Sequence, residues 1–188
     1  GDDPIVRGRR HLRHRRLVRA GGGISIDAGG RSVRLRGRAG LQQRVCHRSW
    51  SGSRPILKAY PNEPGVIAGN DFPTFWRSGV RYGVNICNDA NHPGAAQRIA
   101  DQDARLILYP LNNMLRSKTA DRWRKKSLAN LIDRARQTGC WVASADVTGA
   151  SGNLISWGCT AIVTPEGSVV ARVPELNEGV AVHEIPAS

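Results

Sequence analysis

A cysteine, Cys87, stands where an apolar run ends and a helix is predicted to begin. The run covers residues 82–86, and Pro93 follows at a position typical of the first turn of a helix. A turn between a strand and a helix lifts a thiol clear of the sheet, and backbone N–H groups beyond the turn can face a developing oxyanion. A nearby helix N-terminus also favours the thiolate. These residues permit a nucleophile, but taken alone they favour a buried structural cysteine.

The elements that must position Cys87 are strands and helices that alternate early in the chain, followed by hairpins of strands. The predicted bounds are, in chain order, Phe72–Trp76, Val80–Ile86, Pro93–Asp101 (helix), Arg105–Tyr109, Thr119–Gln137 (helix), Trp141–Ala145, Trp157–Val163, Ser168–Val173 and Gly179–Glu184. Upstream, Ile56–Tyr60 is a strand-like run that ends at Pro61, and residues 165–167 have the composition of a turn. The alternation predicts an α/β layered domain with a mixed sheet.

The basic charge of the chain is concentrated in its first 57 residues. They hold 14 arginines against three aspartates, which is +11 of the formal net charge of +13. They contain no Lys, Glu, Phe or Tyr, and neither a helical nor a strand period persists in them. We therefore predict that residues 1–54 are disordered or poorly packed. They are interpreted as an out-of-frame product of a GC-rich gene, as a basic arm for nucleic acid, or as an unrelated domain.

The composition argues against several classes of protein and site. No apolar run approaches the roughly 20 residues of a membrane helix, and residues 7–19 lack the apolar stretch of a signal peptide, so no membrane partner is expected. The four cysteines show no C-x-x-C spacing, which argues against a zinc site or a disulfide framework. The five histidines are scattered, so neither a metal nor a cofactor is expected. Free thiols make the cytoplasm the default location.

From about residue 55 to residue 186, a series of segments resembles the nitrilase superfamily of carbon–nitrogen hydrolases. In chain order they are LKAYPNE at 57–63, GNDF at 69–72, GVNICND at 83–89, ARLILYP at 104–110, RAR at 134–136 with VASA at 142–145, and GCTAIVTPEG at 158–167. The ICND version of the cysteine segment is similar to the N-carbamoyl amino acid amidohydrolase branch. The segments stand in the order that the family has.

The resemblance implies a fold, a set of site residues and a chemistry. The fold is the αββα sandwich, with a mixed sheet and here incomplete at its N-terminus. Cys87 is the implied nucleophile on a small amide or carbamoyl substrate, and Lys58 with the backbone N–H of Asn88 the implied oxyanion stabiliser. Glu63 is the implied second glutamate, which steadies the lysine. The plainer alternatives are a solvent-facing Lys58 and a loop carboxylate at Glu63. A homo-oligomer is implied by resemblance only.

The sequence also departs from the family pattern. The family's general base is a glutamate far upstream of the lysine, and residues 1–62 contain no Glu. Gly94 replaces a frequent acidic residue, and Gln137 with Thr138 replaces a frequent Glu-Asn pair. We therefore predict two segments, 1–54 and a partial carbon–nitrogen hydrolase domain at 55–188, with impaired activity. The alternative function is a non-catalytic nitrilase-like domain with a basic arm for nucleic acid, a partner that we do not favour.

Overall fold

The computed structural model describes residues 23–26, 32–37 and 56–186, the first two ranges as backbone strands. In chain order the strands are β1 (Gly23–Ile26), β2 (Ser32–Gly37), β3 (Thr74–Arg77), β4 (Val80–Val84), β5 (Leu106–Pro110), β6 (Leu115–Arg116), β7 (Trp141–Ala145), β8 (Gly149–Ser151), β9 (Leu154–Ser156), β10 (Ala161–Val163), β11 (Val169–Arg172) and β12 (Gly179–Glu184). The helices are a 3₁₀ helix (Cys87–Asn91), α1 (Pro93–Ala100) and α2 (Ser117–Thr138). Of residues 1–54, the structure describes β1 and β2, and β2 pairs with β12 along its whole length, so these two strands are not without partners. The rest of that segment lies outside the described residues, and its interpretations stay predictions.

A six-stranded mixed sheet forms the centre of the domain. Its strand order is β11-β10-β7-β5-β4-β3, in which β4, β5 and β7 are parallel neighbours and the other neighbours are antiparallel. The parallel strands are joined by crossovers that contain α1 and α2. Two three-stranded sheets, β1-β2-β12 and β6-β9-β8, complete the described part of the chain. The predicted α/β fold with a mixed sheet is therefore confirmed.

The two faces of the central sheet bury two separate apolar clusters. In β5, Leu106 and Leu108 belong to the cluster that also contains Ala181 and Ile185 from β12 and the residues after it. Ile107, one position along, belongs to the opposite cluster, which contains Ala96 and Ile99 of α1 and Leu131 and Ala135 of α2. Alternation along the strand therefore separates a helical layer from the β12 layer. Strands that are buried on both faces explain why residues 106–110 form a continuous apolar run.

Close packing fixes α1 against the strand that leads to the cysteine. A Cβ at Gly83 of β4 would lie 2.5 Å from Cγ2 of Ile99 in α1, too close for any side chain.

At the far end of α2, Gly139 has φ 64°, and its N–H donates to the Ala135 carbonyl oxygen at 2.9 Å. A left-handed glycine is a common end of a helix, and it sends the chain directly into β7.

Most predicted elements agree with the observed ones to within a few residues, but two predictions were wrong. Ile56–Tyr60 is irregular, because the N–H groups of Ala59 and Tyr60 donate to a side-chain carboxylate and not to a neighbouring strand. The strand predicted from Trp157 begins only at Ala161, since Gly158 has φ 80° and interrupts the extended run. Of the helices within residues 56–186, none is both long and apolar enough to cross a membrane.

Candidate active site

The candidate site lies at the carboxyl edge of the three parallel strands. Cys87 follows β4, Asn112 and Asn113 follow β5, and Asp146 follows β7 directly. Because β4, β5 and β7 run in the same direction, these residues reach the same edge of the sheet. In sheets of this kind, ligands bind outside the carboxyl ends of the strands.

Cys87 has an unusual backbone conformation. Its φ is 48°, in the left-handed region, and it opens the 3₁₀ helix instead of continuing β4. A left-handed conformation in a residue with a Cβ costs roughly 1–3 kcal/mol, and such strain concentrates at functional sites. The partly buried thiol faces the Asn112 carbonyl oxygen at 4.0 Å. The backbone N–H of Asn88 lies in the first turn of this helix, where N–H groups generally have no acceptor within the helix.

Lys58 lies in the irregular segment before β3, and its side chain is only 8% exposed. Its Nζ donates to Oε1 of Glu63 at 2.7 Å and to Oδ1 of Asn62 at 3.1 Å. Burial acts to raise the pKa of the Glu63 carboxyl, but the ammonium and the hydrogen bonds outweigh it, and the pKa lies below its usual value. An ammonium has three N–H groups, so one remains for a further acceptor.

The carboxylate of Asp89 fastens the lysine segment to the cysteine turn. Asp89 is 2% exposed, and its two oxygens accept from the backbone N–H groups of Ile86 at 2.8 Å, Tyr60 at 2.8 Å and Ala59 at 3.3 Å. A buried carboxylate is stable only when such donors surround it. Asp89 therefore sets the position of the Lys58 backbone relative to Cys87.

A chain of asparagine side chains connects α2 to the same segment. Nδ2 of Asn130 donates to Oδ1 of Asn91, and Nδ2 of Asn91 donates to Oδ1 of Asn88 at 2.7 Å. Nδ2 of Asn88 then donates to the Tyr60 carbonyl oxygen at 2.9 Å. The ring of Tyr60 stacks on that of His92, with centroids 3.8 Å apart. The long helix, the 3₁₀ helix and the lysine segment are thus joined by polar contacts at one side of the site.

Cys87 opens on a cleft of about 490 Å³. Six asparagines line it, Asn62, Asn88, Asn91, Asn112, Asn113 and Asn130. Helix α2 contributes Thr119, Trp123, Ser127 and Asn130, whose spacing places them along one face of the helix. Glu63 lines the cleft together with Cys87, so the partners of the lysine share this space with the thiol. A volume of this size is enough for a small organic molecule.

The surroundings of Cys87 favour the protonated thiol in the absence of a ligand. Burial raises the pKa of the Cys87 thiol, and the carboxylates of Asp146 and Glu63 act in the same direction. The Lys58 ammonium acts in the opposite direction and lowers the pKa of the thiol. A nucleophilic role for Cys87 therefore needs the thiol to be deprotonated as it reacts.

The family model described as carbon–nitrogen hydrolase matches residues 23–188, which is most of the chain. The chain belongs to the carbon–nitrogen hydrolase family. A protein described as "Hydrolase in pqqF 5'region" from Pseudomonas protegens is 33% identical over 104 residues, which cover 54% of this chain and 34% of that protein. A glutamine-dependent NAD(+) synthetase from Rhodobacter capsulatus is 28% identical over 101 residues, 54% of this chain and 18% of the synthetase.

Solved structures show the same nitrilase-type fold. An amidase from Nesterenkonia sp. is similar with a TM-score of 0.60 and 22% identity, over 72% of this chain and 50% of that chain. A variant of this amidase with the acetamide moiety of fluoroacetamide added covalently at the active-site cysteine has the same scores and coverage. A further variant, described as from the nitrilase superfamily, has a TM-score of 0.59 and 20% identity, over 82% and 55%. The chain thus spans about half the length of these amidases.

The sequence prediction for this carbon–nitrogen hydrolase named Cys87, Lys58, Glu63 and the N–H of Asn88. In the structure, Glu63, Cys87 and Asn88 line one cleft, and Lys58 is paired with Glu63 beside it. The roles of these residues stay predictions. The sequence prediction gave no role to Asp89 and did not include Asp146 or the asparagine chain. The sequence contained a partial signal for Asp146, because a polar residue directly after a parallel strand lies at the edge of the sheet where ligands bind. Within the described residues, no group of His, Cys, Asp and Glu side chains is arranged to hold a metal ion.

The three described cysteines should differ in their rate of alkylation. Cys87 lines the cleft, whereas Cys140 and Cys159 are buried, and burial raises the pKa of the Cys159 thiol to about 12. We expect iodoacetamide to modify Cys87 first, with a rate that still rises above the ordinary thiol pKa of about 8.5, because burial raises its pKa also. Mass spectrometry of the digested protein measures this. Labelling of Cys140 at the same rate as Cys87 would contradict it.

Proposed function

We propose that the chain is the cysteine-bearing part of a carbon–nitrogen hydrolase that acts on a small amide or N-carbamoyl compound through a thioester acyl-enzyme. The observation that carries this proposal is Cys87 in a left-handed turn at the ligand edge, with the Lys58–Glu63 pair beside the same cleft. A cysteine held only for packing has no need of a strained backbone or of a cleft.

The proposed reaction has two stages. The Cys87 sulfur attacks the substrate carbonyl carbon, and a C–S bond forms while the carbonyl oxygen takes the negative charge. The Lys58 ammonium and the Asn88 N–H stabilise that oxyanion, and the C–N bond breaks as the leaving amine takes a proton. Water then attacks the thioester, which releases the carboxylic acid and returns the thiol.

Proton transfer limits this chain in our proposal. Thiol deprotonation and amine protonation need a positioned acid–base group, and no glutamate precedes Glu63 in the sequence. Glu63 itself is held at 2.7 Å by Lys58. Loss of a general acid–base typically costs about 10²- to 10⁴-fold in rate, so we expect weak amide turnover or none.

The comparisons support a reaction in which a cysteine attacks a small amide. A variant of the Nesterenkonia amidase carries the acetamide moiety of fluoroacetamide, a small amide reagent, covalently at its active-site cysteine. We carry this reactivity to Cys87 as part of the proposal. We also propose that the chain assembles with further copies of itself, on the family resemblance alone, and that it works in the cytoplasm, where free thiols persist.

An activated ester tests the proposal without requiring a general acid. p-Nitrophenyl acetate has a leaving group that needs no proton, so we expect it to acetylate Cys87 and release one equivalent of nitrophenolate in a burst. Acetamide and N-carbamoyl amino acids should turn over slowly or not at all. Intact-mass measurement and the matched variants Cys87→Ala and Cys140→Ala complete the assay. Equal bursts from the original chain and Cys87→Ala would remove Cys87 from the mechanism, and fast amide turnover would reveal another general base.

A further inference from the structure

A second buried carboxylate, Asp146, lies at the same edge of the sheet as Cys87. Asp146 is 1% exposed and follows β7 directly. Its Oδ1 accepts from the backbone N–H of Asn113 at 3.1 Å, and its Oδ2 accepts from Nδ2 of Asn113 at 2.7 Å. The two oxygens therefore hold one residue by both its backbone and its side chain.

The residue next to Asn113 faces the thiol. The Asn112 carbonyl oxygen lies 4.0 Å from the Cys87 sulfur, and both Asn112 and Asn113 line the cleft. This segment follows β5, and the N–H of Leu111 donates to the Ala145 carbonyl oxygen at 2.8 Å, the last backbone bond between the two strand ends. Beyond this backbone bond, the Asp146 carboxylate connects the segment after β7 to the segment after β5.

We propose that Asp146 is a positioning residue for Cys87, which holds the Asn112–Asn113 segment so that it forms the cleft wall opposite the thiol. The catalytic consequence rests on the proposed function, whereas the structural part does not. A buried carboxylate is costly unless hydrogen-bond donors surround it, and Asn113 supplies two of the donors to Asp146. Arg124, which lines a small cavity with Asp146, is paired with Glu175 at 2.6 Å.

The charge state of Asp146 should control this segment. Burial raises the pKa of Asp146 to about 6, although the hydrogen bonds from Asn113 oppose the shift. Above pH ~6 both oxygens accept, and below it the carboxyl carries a proton and loses an acceptor for one of the Asn113 donors. Among the described residues, the Asp146 carboxylate acts on the thiols of Cys87 and Cys159, which stay protonated in this range because burial raises the pKa of each. The Arg124 guanidinium, which lines the small cavity with Asp146, stays charged throughout this range.

Hydrogen exchange and thiol labelling test the proposal on the full chain. The variant Asp146→Asn keeps the shape but offers one acceptor, and the exposed Asp133→Asn on α2 is the matched control for the lost charge. We expect amide exchange at residues 112–115 to rise about ten-fold in Asp146→Asn at pH 7.5, with α1 and β10 unchanged. In the unaltered chain a rise should also appear as the pH falls through ~6, after correction for the intrinsic pH dependence of exchange. The hydrogen bonds from Asn113 lower the pKa of Asp146 and weaken when it takes a proton, whereas its burial is the same whether or not residues 112–115 open. The Cys87 alkylation rate should change relative to that of Cys140.

A functional measurement separates this inference from the proposed function. In Asp146→Asn we expect the rate constant of Cys87 acetylation by p-nitrophenyl acetate to fall about ten-fold while the concentration for half-saturation changes less than about two-fold. Unchanged exchange at residues 112–115, or equal loosening throughout the domain, would overturn the positioning role even if Cys87 is acetylated normally. Failure of acetylation in the unaltered chain would remove the proposed function and leave the exchange experiment to decide. Should Asp146→Asn not fold, Asn113→Ala removes the side-chain bond alone and takes its place.

Discussion

Replacement of Lys58 by methionine is expected to slow acetylation of Cys87 by roughly 10²- to 10³-fold, the cost of one oxyanion donor. Methionine keeps an unbranched stem in a position that is 8% exposed but removes the charge and all three N–H groups. The Glu63 carboxylate that loses its partner is 52% exposed, so water can solvate it. The expected effect is therefore on the reaction and not on folding.

The measurement is the burst rate with p-nitrophenyl acetate, together with the thermal midpoint of unfolding. Lys118→Met, on the exposed surface of α2, is the matched control and should leave both quantities unchanged. The thiol pKa of Cys87 should also rise in Lys58→Met, since the ammonium now lowers it, and the pH dependence of alkylation reports this. A burst within two-fold of the original rate would show that Lys58 is not an oxyanion donor.

Replacement of Asp89 by alanine is expected to lower the free energy of unfolding by about 3 kcal/mol or more and to release the lysine segment. Three backbone N–H groups lose a charged acceptor at a site that is 2% exposed, and each buried unsatisfied donor costs about 1–3 kcal/mol. Residues 57–63 have no regular strand partner to replace the carboxylate. Urea denaturation measures the stability, and exchange at residues 57–63 measures the release.

Asp71→Ala is the matched control for Asp89→Ala, because Asp71 is an exposed aspartate of the neighbouring loop. We expect no change in stability for Asp71→Ala beyond about 0.5 kcal/mol. A stability of Asp89→Ala within 1 kcal/mol of the original would mean that water or another group satisfies the three donors. Under that result, Asp89 would not determine where Lys58 lies.

The elements around the site follow from local sequence patterns. The strand at 105–109 and the long helix at 119–137 were predicted to within two residues, because the apolar period of an element depends on neighbouring residues. The cysteine segment after β4 was likewise located from an apolar run, a polar turn and Pro93. The sheet β6-β9-β8 was not predicted, because strands of two or three residues are too short to display a period.

The contacts that shape the site depend on residues far apart in the chain. Asp89 accepts from a segment about thirty residues upstream, Asp146 holds Asn113 across a separation of 33, and Asn130 reaches Asn91 across 39. In the sequence each is an ordinary polar residue, and no local pattern tells a buried carboxylate with several donors from a solvated one. Strand order and direction bring the ends of β4, β5 and β7 together, and only that arrangement makes Cys87, Asn112 and Asp146 neighbours. Sequence patterns thus located the elements and the candidate nucleophile, whereas long-range packing formed the cleft and gave Asp89 and Asp146 their partners.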